Sequence, residues 1–137
     1  GPCRNGWTEH DNHCYKLMTI KASWATANAN CKLLGADLVS IQKQPEHKFL
    51  KGIITNAPKG KLGLVWIGAY LDGVDWKWTD GSPYSYARWA PGEPNYRNKS
   101  LGEICVGVYS KVGKIGAWND VLCKEECPYV CKTPQRR

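Results

Sequence analysis

Seven cysteines in a chain of 137 residues constrain its fold more than any other feature. They are Cys3, Cys14, Cys31, Cys105, Cys123, Cys127 and Cys131. Thiols at this density belong to oxidising compartments, so the sequence predicts a secreted, extracellular protein stapled by disulfides. Composition alone does not pair them, and the odd count leaves one over. A metal reading competes, because Cys123, Cys127 and Cys131 are spaced C-x3-C-x3-C. Structural zinc sites favour tighter C-x2-C pairs, which argues against it.

The length fits one domain spanning residues 1–137 with a sizeable core. No apolar run is long enough to span a membrane, and no signal-like stretch is present. A net charge of +7 raises the question of an anionic partner. The Lys and Arg residues are scattered, however, and the one tight cluster is Arg136-Arg137. That pattern reads as a solvated basic surface, with no nucleic-acid site and no membrane insertion.

Along the chain, Cys14 to Leu17 reads as a short strand after a Cys-closed loop. Ser23 precedes an Ala-rich helical stretch that Gly35 ends, with Trp24, Ala27, Cys31 and Leu34 as its buried stripe. A second helix is expected from Pro45 to about Thr55, with Phe49, Leu50 and Ile53 facing the core. Leu64-Val-Trp-Ile-Gly68 reads as a buried strand, Trp76 to Thr79 as a strand-like alternation, and Ile104 to Tyr109 as another. A last strand is expected around Tyr129 to Cys131. Between Asp72 and Ser100 the chain is rich in Gly, Pro, Asp, Asn, Tyr and Trp, the composition of a long functional loop. Trp24, Trp66, Trp78, Trp89 and Trp118 are expected to fill the core, and His10 and His13 to lie on solvated loops.

Oxygen-bearing side chains concentrate in two places, Glu93-Pro94-Asn95 with Glu103 downstream, and Asn119-Asp120 after Trp118. Three carboxylates and two carboxamides form the hard, all-oxygen set that calcium prefers, whereas zinc or copper would recruit His or Cys. Each piece alone is weak, because polar turn residues are common. The ordered set, Glu-Pro-Asn, then Glu-x-Cys, then Trp-Asn-Asp-x-x-Cys, is far more specific.

On that set the sequence resembles the C-type lectin-like domain, the calcium-dependent carbohydrate-recognition domain in its long form. Trp66-Ile67-Gly68 in the central strand and Cys131, eight residues after Cys123, extend the match over nearly the whole chain. The resemblance implies an α+β, double-loop fold with two helices, small antiparallel sheets and a long calcium-binding loop, stabilised by disulfides. It implies the pairs Cys31–Cys131 and Cys105–Cys123, with Cys3–Cys14 closing the N-terminal hairpin. Cys127 stands outside the pattern, as an ordinary half-buried thiol or as the bridge of a homodimer.

The resemblance also assigns the site. Glu93, Asn95, Glu103, Asn119 and Asp120 match the ligands of the family's sugar-binding calcium ion, while Tyr96, which follows the motif, is read either as stacking on a sugar face or as packing the loop. Ten residues separate Glu93 from Glu103, a longer spacing than in mannose-binding proteins. Tyr96 and Ile104 offer no carboxylate for an auxiliary calcium site, so none is expected. Two vicinal sugar hydroxyls would complete the coordination, each donating to a carboxylate and accepting from an amide. In the family, Glu-Pro-Asn goes with mannose-type glycans, whose 3- and 4-hydroxyls are equatorial, while galactose-type recognition usually goes with Gln-Pro-Asp. Asn98-Lys-Ser100 is a glycosylation sequon beside this site.

Two rival readings remain. An enzyme is disfavoured because neither H-E-x-x-H nor G-x-S-x-G occurs and the three histidines have no evident partners. A protein- or mineral-binding module on the same fold stays in play, although such modules commonly lose the calcium ligands retained here.

Overall fold

Three disulfides join Cys3 to Cys14, Cys31 to Cys131 and Cys105 to Cys123 in a computed structural model that describes residues 3–95 and 102–135. The Cys31–Cys131 bridge links residues 100 apart in sequence and ties the first helix to the last strand. In the chain-entropy account, closing a loop of that size is worth about 4.7 kcal/mol.

The first helix, α1 (Trp24–Leu33), starts where Ser23 leaves the extended region and its hydroxyl accepts the Thr26 N–H at 3.3 Å. It ends where Gly35 turns at φ +75°, its N–H bonded to the Lys32 carbonyl. Ala27 and Cys31 are fully buried on its inner face, while Trp24 and Leu34 are only half-buried.

The second helix, α2 (Gln44–Ile54), carries Pro45 in its first turn. Leu50 is buried and Phe49 and Ile53 pack half-covered against the core as expected, but the inner face also takes in Glu46 and His47, which no apolar stripe predicts. The reason is tertiary pairing. The Glu46 carboxylate takes the Lys132 ammonium at 2.6 Å, the Tyr15 hydroxyl at 2.5 Å and the Gln42 N–H at 2.8 Å. A buried charge is tolerable when paired and hydrogen-bonded in this way. Burial, then the bond to Glu46, hold the Tyr15 phenol well above its ordinary range. His10 also departs from expectation: it lies in a strand and stacks on Phe49 at 4.4 Å and 9°.

The strands form two antiparallel groups. In one, β1 (Thr8–His10) pairs with β2 (His13–Ala22), and β2 with β8 (Cys127–Pro134), which also takes the short β3 (Asp37–Leu38). In the other, β4 (Leu64–Asp72) lies between β5 (Asp75–Trp78) and β6 (Ile104–Tyr109), and β6 pairs with β7 (Trp118–Leu122). One parallel register pair, Trp66 opposite Tyr129, joins the groups into a mixed sheet. β4 is buried on both faces, which explains its unbroken apolar run. Val65, Ile67 and Ala69 face one core with Trp78, Val106, Val108 and Trp118, while Leu64 and Trp66 face a second with Cys31, Leu38 and Tyr129.

Gly68 lies where these pieces cross. Its N–H bonds the Val39 carbonyl at 2.8 Å, and its own carbonyl takes the Thr79 N–H at 2.8 Å. A Cβ at this position would lie 2.8 Å from the Leu38 carbonyl oxygen, a backbone atom with no freedom to retreat. Gly68→Ala should therefore destabilise the fold by about 1–3 kcal/mol. A denaturant midpoint unchanged from wild type would contradict that packing.

Cys127 is the unbridged cysteine among the described residues, 1% exposed and opposite Ala22 on β2. Burial pushes its thiol up to about 12. A bridge from this position to a second chain requires the end of β8 to come away from β2, so the structure does not present Cys127 as a dimer contact. Iodoacetamide at pH 8 should leave the native protein unlabelled and add one group per chain in denaturant. Labelling at equal rates in both states would show that the strand end is open.

Candidate functional site

The long connection between β5 and β6 covers residues 79–103, and its described part is anchored on β7. The Ala90 N–H bonds the Trp118 carbonyl and the Trp118 N–H bonds the Arg88 carbonyl, both at 2.9 Å. Trp118 is fully buried, with Trp78, Tyr86 and Trp89 packed around it at 5.7–6.1 Å between ring centres. Trp89, expected in the core, is half-buried at its edge. Gly92, at φ +83°, closes a turn in which the Glu93 N–H bonds the Ala90 carbonyl at 3.0 Å. The Glu93–Pro94 peptide is cis.

From that turn the chain comes back to β7. The Asn95 N–H donates to Asp120 Oδ1 at 3.2 Å, so two of the oxygen-bearing segments singled out in the sequence meet. Glu93 is half-buried, Asn95 exposed, and Asp120 8% exposed.

The other two residues are held differently. β6 and β7 pair with Val106 opposite Asp120 and Gly107 opposite Asn119. Asn119 is half-buried and Asp120 nearly buried at adjacent positions of β7. Asn119 Nδ2 donates to the hydroxyl of Tyr109, its diagonal neighbour on β6, at 3.0 Å. Glu103 is exposed, and its carbonyl takes the Cys123 N–H at 3.0 Å. Cys123 follows β7 directly, three residues after Asp120. Among the described residues no three His, Cys, Asp or Glu side chains gather closely enough to hold a metal ion. The donor set fits calcium in its chemistry, and the described geometry brings the Glu-Pro-Asn turn to Asp120 through the Asn95 N–H. Tyr96 and Asn98 lie outside the described residues.

The sequence did not reveal what props this region from behind. His47 Nε2 donates to the Gly116 carbonyl at 2.7 Å, and its ring lies 5.8 Å from that of Tyr86. Arg88 lies over the same Tyr86 ring at 4.6 Å and donates to the Gln44 side chain at 3.1 Å. The start of α2 therefore supports both the long connection and the turn leading into Trp118. A polar residue inside a helical apolar stripe was the one available signal.

The profile of the family described as "Lectin C-type domain" matches residues 20–133. The chain is 37% identical over 134 residues to C-type lectin lectoxin-Lio1 of Erythrolamprus poecilogyrus, covering 95% of this chain and 79% of the relative. It is 36% identical over 137 residues to lactose-binding lectin l-2 of Anguilla japonica, covering 96% and 78%. Among solved structures, a calcium-independent type II antifreeze protein superposes with a TM-score of 0.83 at 31% identity, covering 97% of this chain and 95% of that one. This chain belongs to the C-type lectin domain family. Its relatives include sugar-binding lectins and an antifreeze protein that dispenses with calcium.

His47 should also set part of the acid sensitivity. Burial, chiefly, with Lys51 and Arg88 nearby, pushes its imidazole below the ordinary value, against the opposing pull of the Gly116 carbonyl. The unfolded chain then binds the proton more readily than the folded one. His47 thus contributes stability that is present above its unfolded pKa of about 6.5 and is lost as pH falls below it. The melting temperature of wild type should drop more steeply than that of His47→Gln between about pH 7 and 5. Parallel curves would contradict the assignment.

Proposed function

We propose that this domain is a secreted, non-enzymatic lectin that binds mannose-type glycans through one calcium ion. Glu93, Asn95, Glu103, Asn119 and Asp120 would hold the ion, with Tyr96 against the sugar. The bond from the Asn95 N–H to Asp120 carries the reading, because it draws the Glu-Pro-Asn segment of the long connection onto the Trp-Asn-Asp strand. Bound calcium would supply two coordination positions for vicinal sugar hydroxyls. The carboxylates of Glu93 and Glu103 would accept their protons, and the amides of Asn95 and Asn119 would donate to them. Three disulfides support an extracellular setting.

Two observations give weight to alternatives. The lactose-binding relative keeps galactose-type specificity open despite the Glu-Pro-Asn motif. The Asn119–Tyr109 bond, together with the calcium-independent antifreeze relative, favours a second reading in which the same fold binds a protein or mineral ligand without an ion.

Affinity on immobilised mannose and immobilised lactose, with and without a calcium chelator, separates these readings. The proposal expects retention on mannose that the chelator abolishes. Asn119→Asp should weaken sugar binding more than calcium binding in paired titrations, since it removes a donor and keeps an oxygen ligand. Retention that survives chelation would establish the cation-independent reading, and retention on lactose alone the galactose-type one.

A further inference from the structure

β2 runs for ten residues and is only partly covered. β8 pairs with it from His13 to Met18 and again at Ala22. On the other side β1 pairs with it only from His13 to Tyr15. Before β1 the chain turns away, the Trp7 N–H bonding the Arg4 carbonyl and Cys3 tied back to Cys14. Among the described residues, β2 therefore presents an open backbone edge from Lys16 onward, and Thr19 to Lys21 pair with neither neighbouring strand.

A groove of 540 Å³ runs beside this edge. One wall is the unbroken run Lys16–Ala22, and the other is Thr26, Asn30, Leu33 and Leu34 at the face and end of α1. Both alternating sets of strand side chains line it, as suits a groove that follows the strand edge past the irregularity between Met18 and Ala22. Tyr129 also lines it, its hydroxyl accepting from Asn30 Nδ2 at 2.9 Å. Ile20 and Leu33, 84% and 85% exposed, add apolar surface along the two walls.

Charge decides what kind of partner suits it. Lys16 and Lys21 belong to the strand wall, and the Arg4 guanidinium donates to the Leu34 carbonyl at 2.6 Å beside the helical one. Among the described residues none of the three cations is in an ion pair. A second copy of the chain would bring the same cations together at a net charge of +7 on each partner. An extended acidic segment meets the amides of β2, the apolar walls and the cations at once.

We propose that this groove is a docking site for an extended, acidic segment of a partner protein, which adds to β2 as a further strand. Strand addition draws affinity from main-chain hydrogen bonds and specificity from alternate side chains and flanking charge. Lysines on a free edge also deter unwanted pairing, so the test must separate recognition from simple protection. The groove shares no residue with the candidate glycan site, so failure of either reading leaves the other intact.

The probe is a labelled, end-capped peptide of alternating Glu and Val, seven residues long, followed by fluorescence anisotropy. Controls are its Lys–Val counterpart and an acidic version N-methylated at alternate amides. Saturable binding of the acidic peptide is expected, at least about tenfold tighter than the Lys–Val peptide and weakened about tenfold by N-methylation. Lys16→Glu and Lys21→Glu should each weaken it, and Thr19→Pro should abolish it while the thermal transition stays cooperative. Should Thr19→Pro fail to fold, Leu33→Glu on the helical wall serves in its place. Absence of binding up to about 1 mM, equal binding of both charge types, or indifference to N-methylation overturns the proposal. Sedimentation showing a dimer that Thr19→Pro dissolves overturns it in favour of a second copy.

Discussion

The architecture depends on a backbone crossing at Gly68, where β4 passes Leu38 and Val39 too closely for a side chain. The two strand groups share one parallel register pair, Trp66 with Tyr129, and indole hydrogen bonds reinforce the junction. Trp66 Nε1 donates to the Ala22 carbonyl and Trp24 Nε1 to the Ile67 carbonyl, each at 2.9 Å. The Val39 N–H bonds the Val130 carbonyl while its own carbonyl takes the Gly68 N–H, so one residue ties β8 to β4. The connection that follows β5 starts from this junction through the Thr79 N–H and the Gly68 carbonyl. A rigid scaffold and a long connection issuing from it are separate parts of this molecule.

That separation explains how one fold serves sugar-binding and antifreeze relatives alike, since function resides in sites carried by folds. In this chain the scaffold fixes Trp118, which holds the chain at Ala90 ahead of the turn whose far end, Asn95, meets Asp120. Asn119, the residue before Asp120 on β7, has a side-chain partner of its own. The hydroxyl of Tyr109 takes that amide from across the ribbon. Commitment to an ion is therefore a matter of a few side chains around β6 and β7.

Much of the scaffold was legible in the sequence because its signals are local. Ser23 and Gly35 bound α1 through their own hydroxyl and φ angle, and the family's cysteine pattern gave all three bridges. The inner face of α2 was read without Glu46, which looks like a surface residue until Lys132 is brought to it from the last strand. β7 was not among the expected strands, because Asn119 and Asp120 disguise an alternation that its burial makes plain. The two- and three-residue strands β3 and β1 exist through their partners and carry no pattern of their own. For the site, residue types were readable and their mutual orientation was not, since orientation depends on pairing register.

The sequestered thiol of Cys127 bears on how the molecule keeps its bridges once made. Three bridges among seven cysteines admit about 105 pairings, against 15 for six, so an extra thiol multiplies the ways to mispair. Exchange proceeds through the thiolate, and burial, which pushes this thiol up to about 12, keeps that form scarce at neutral pH. Any isomer that recruits Cys127 must also pull the end of β8 from its place opposite Ala22. The native isomer is thus guarded twice, by suppression of the attacking species and by loss of sheet pairing in its competitors.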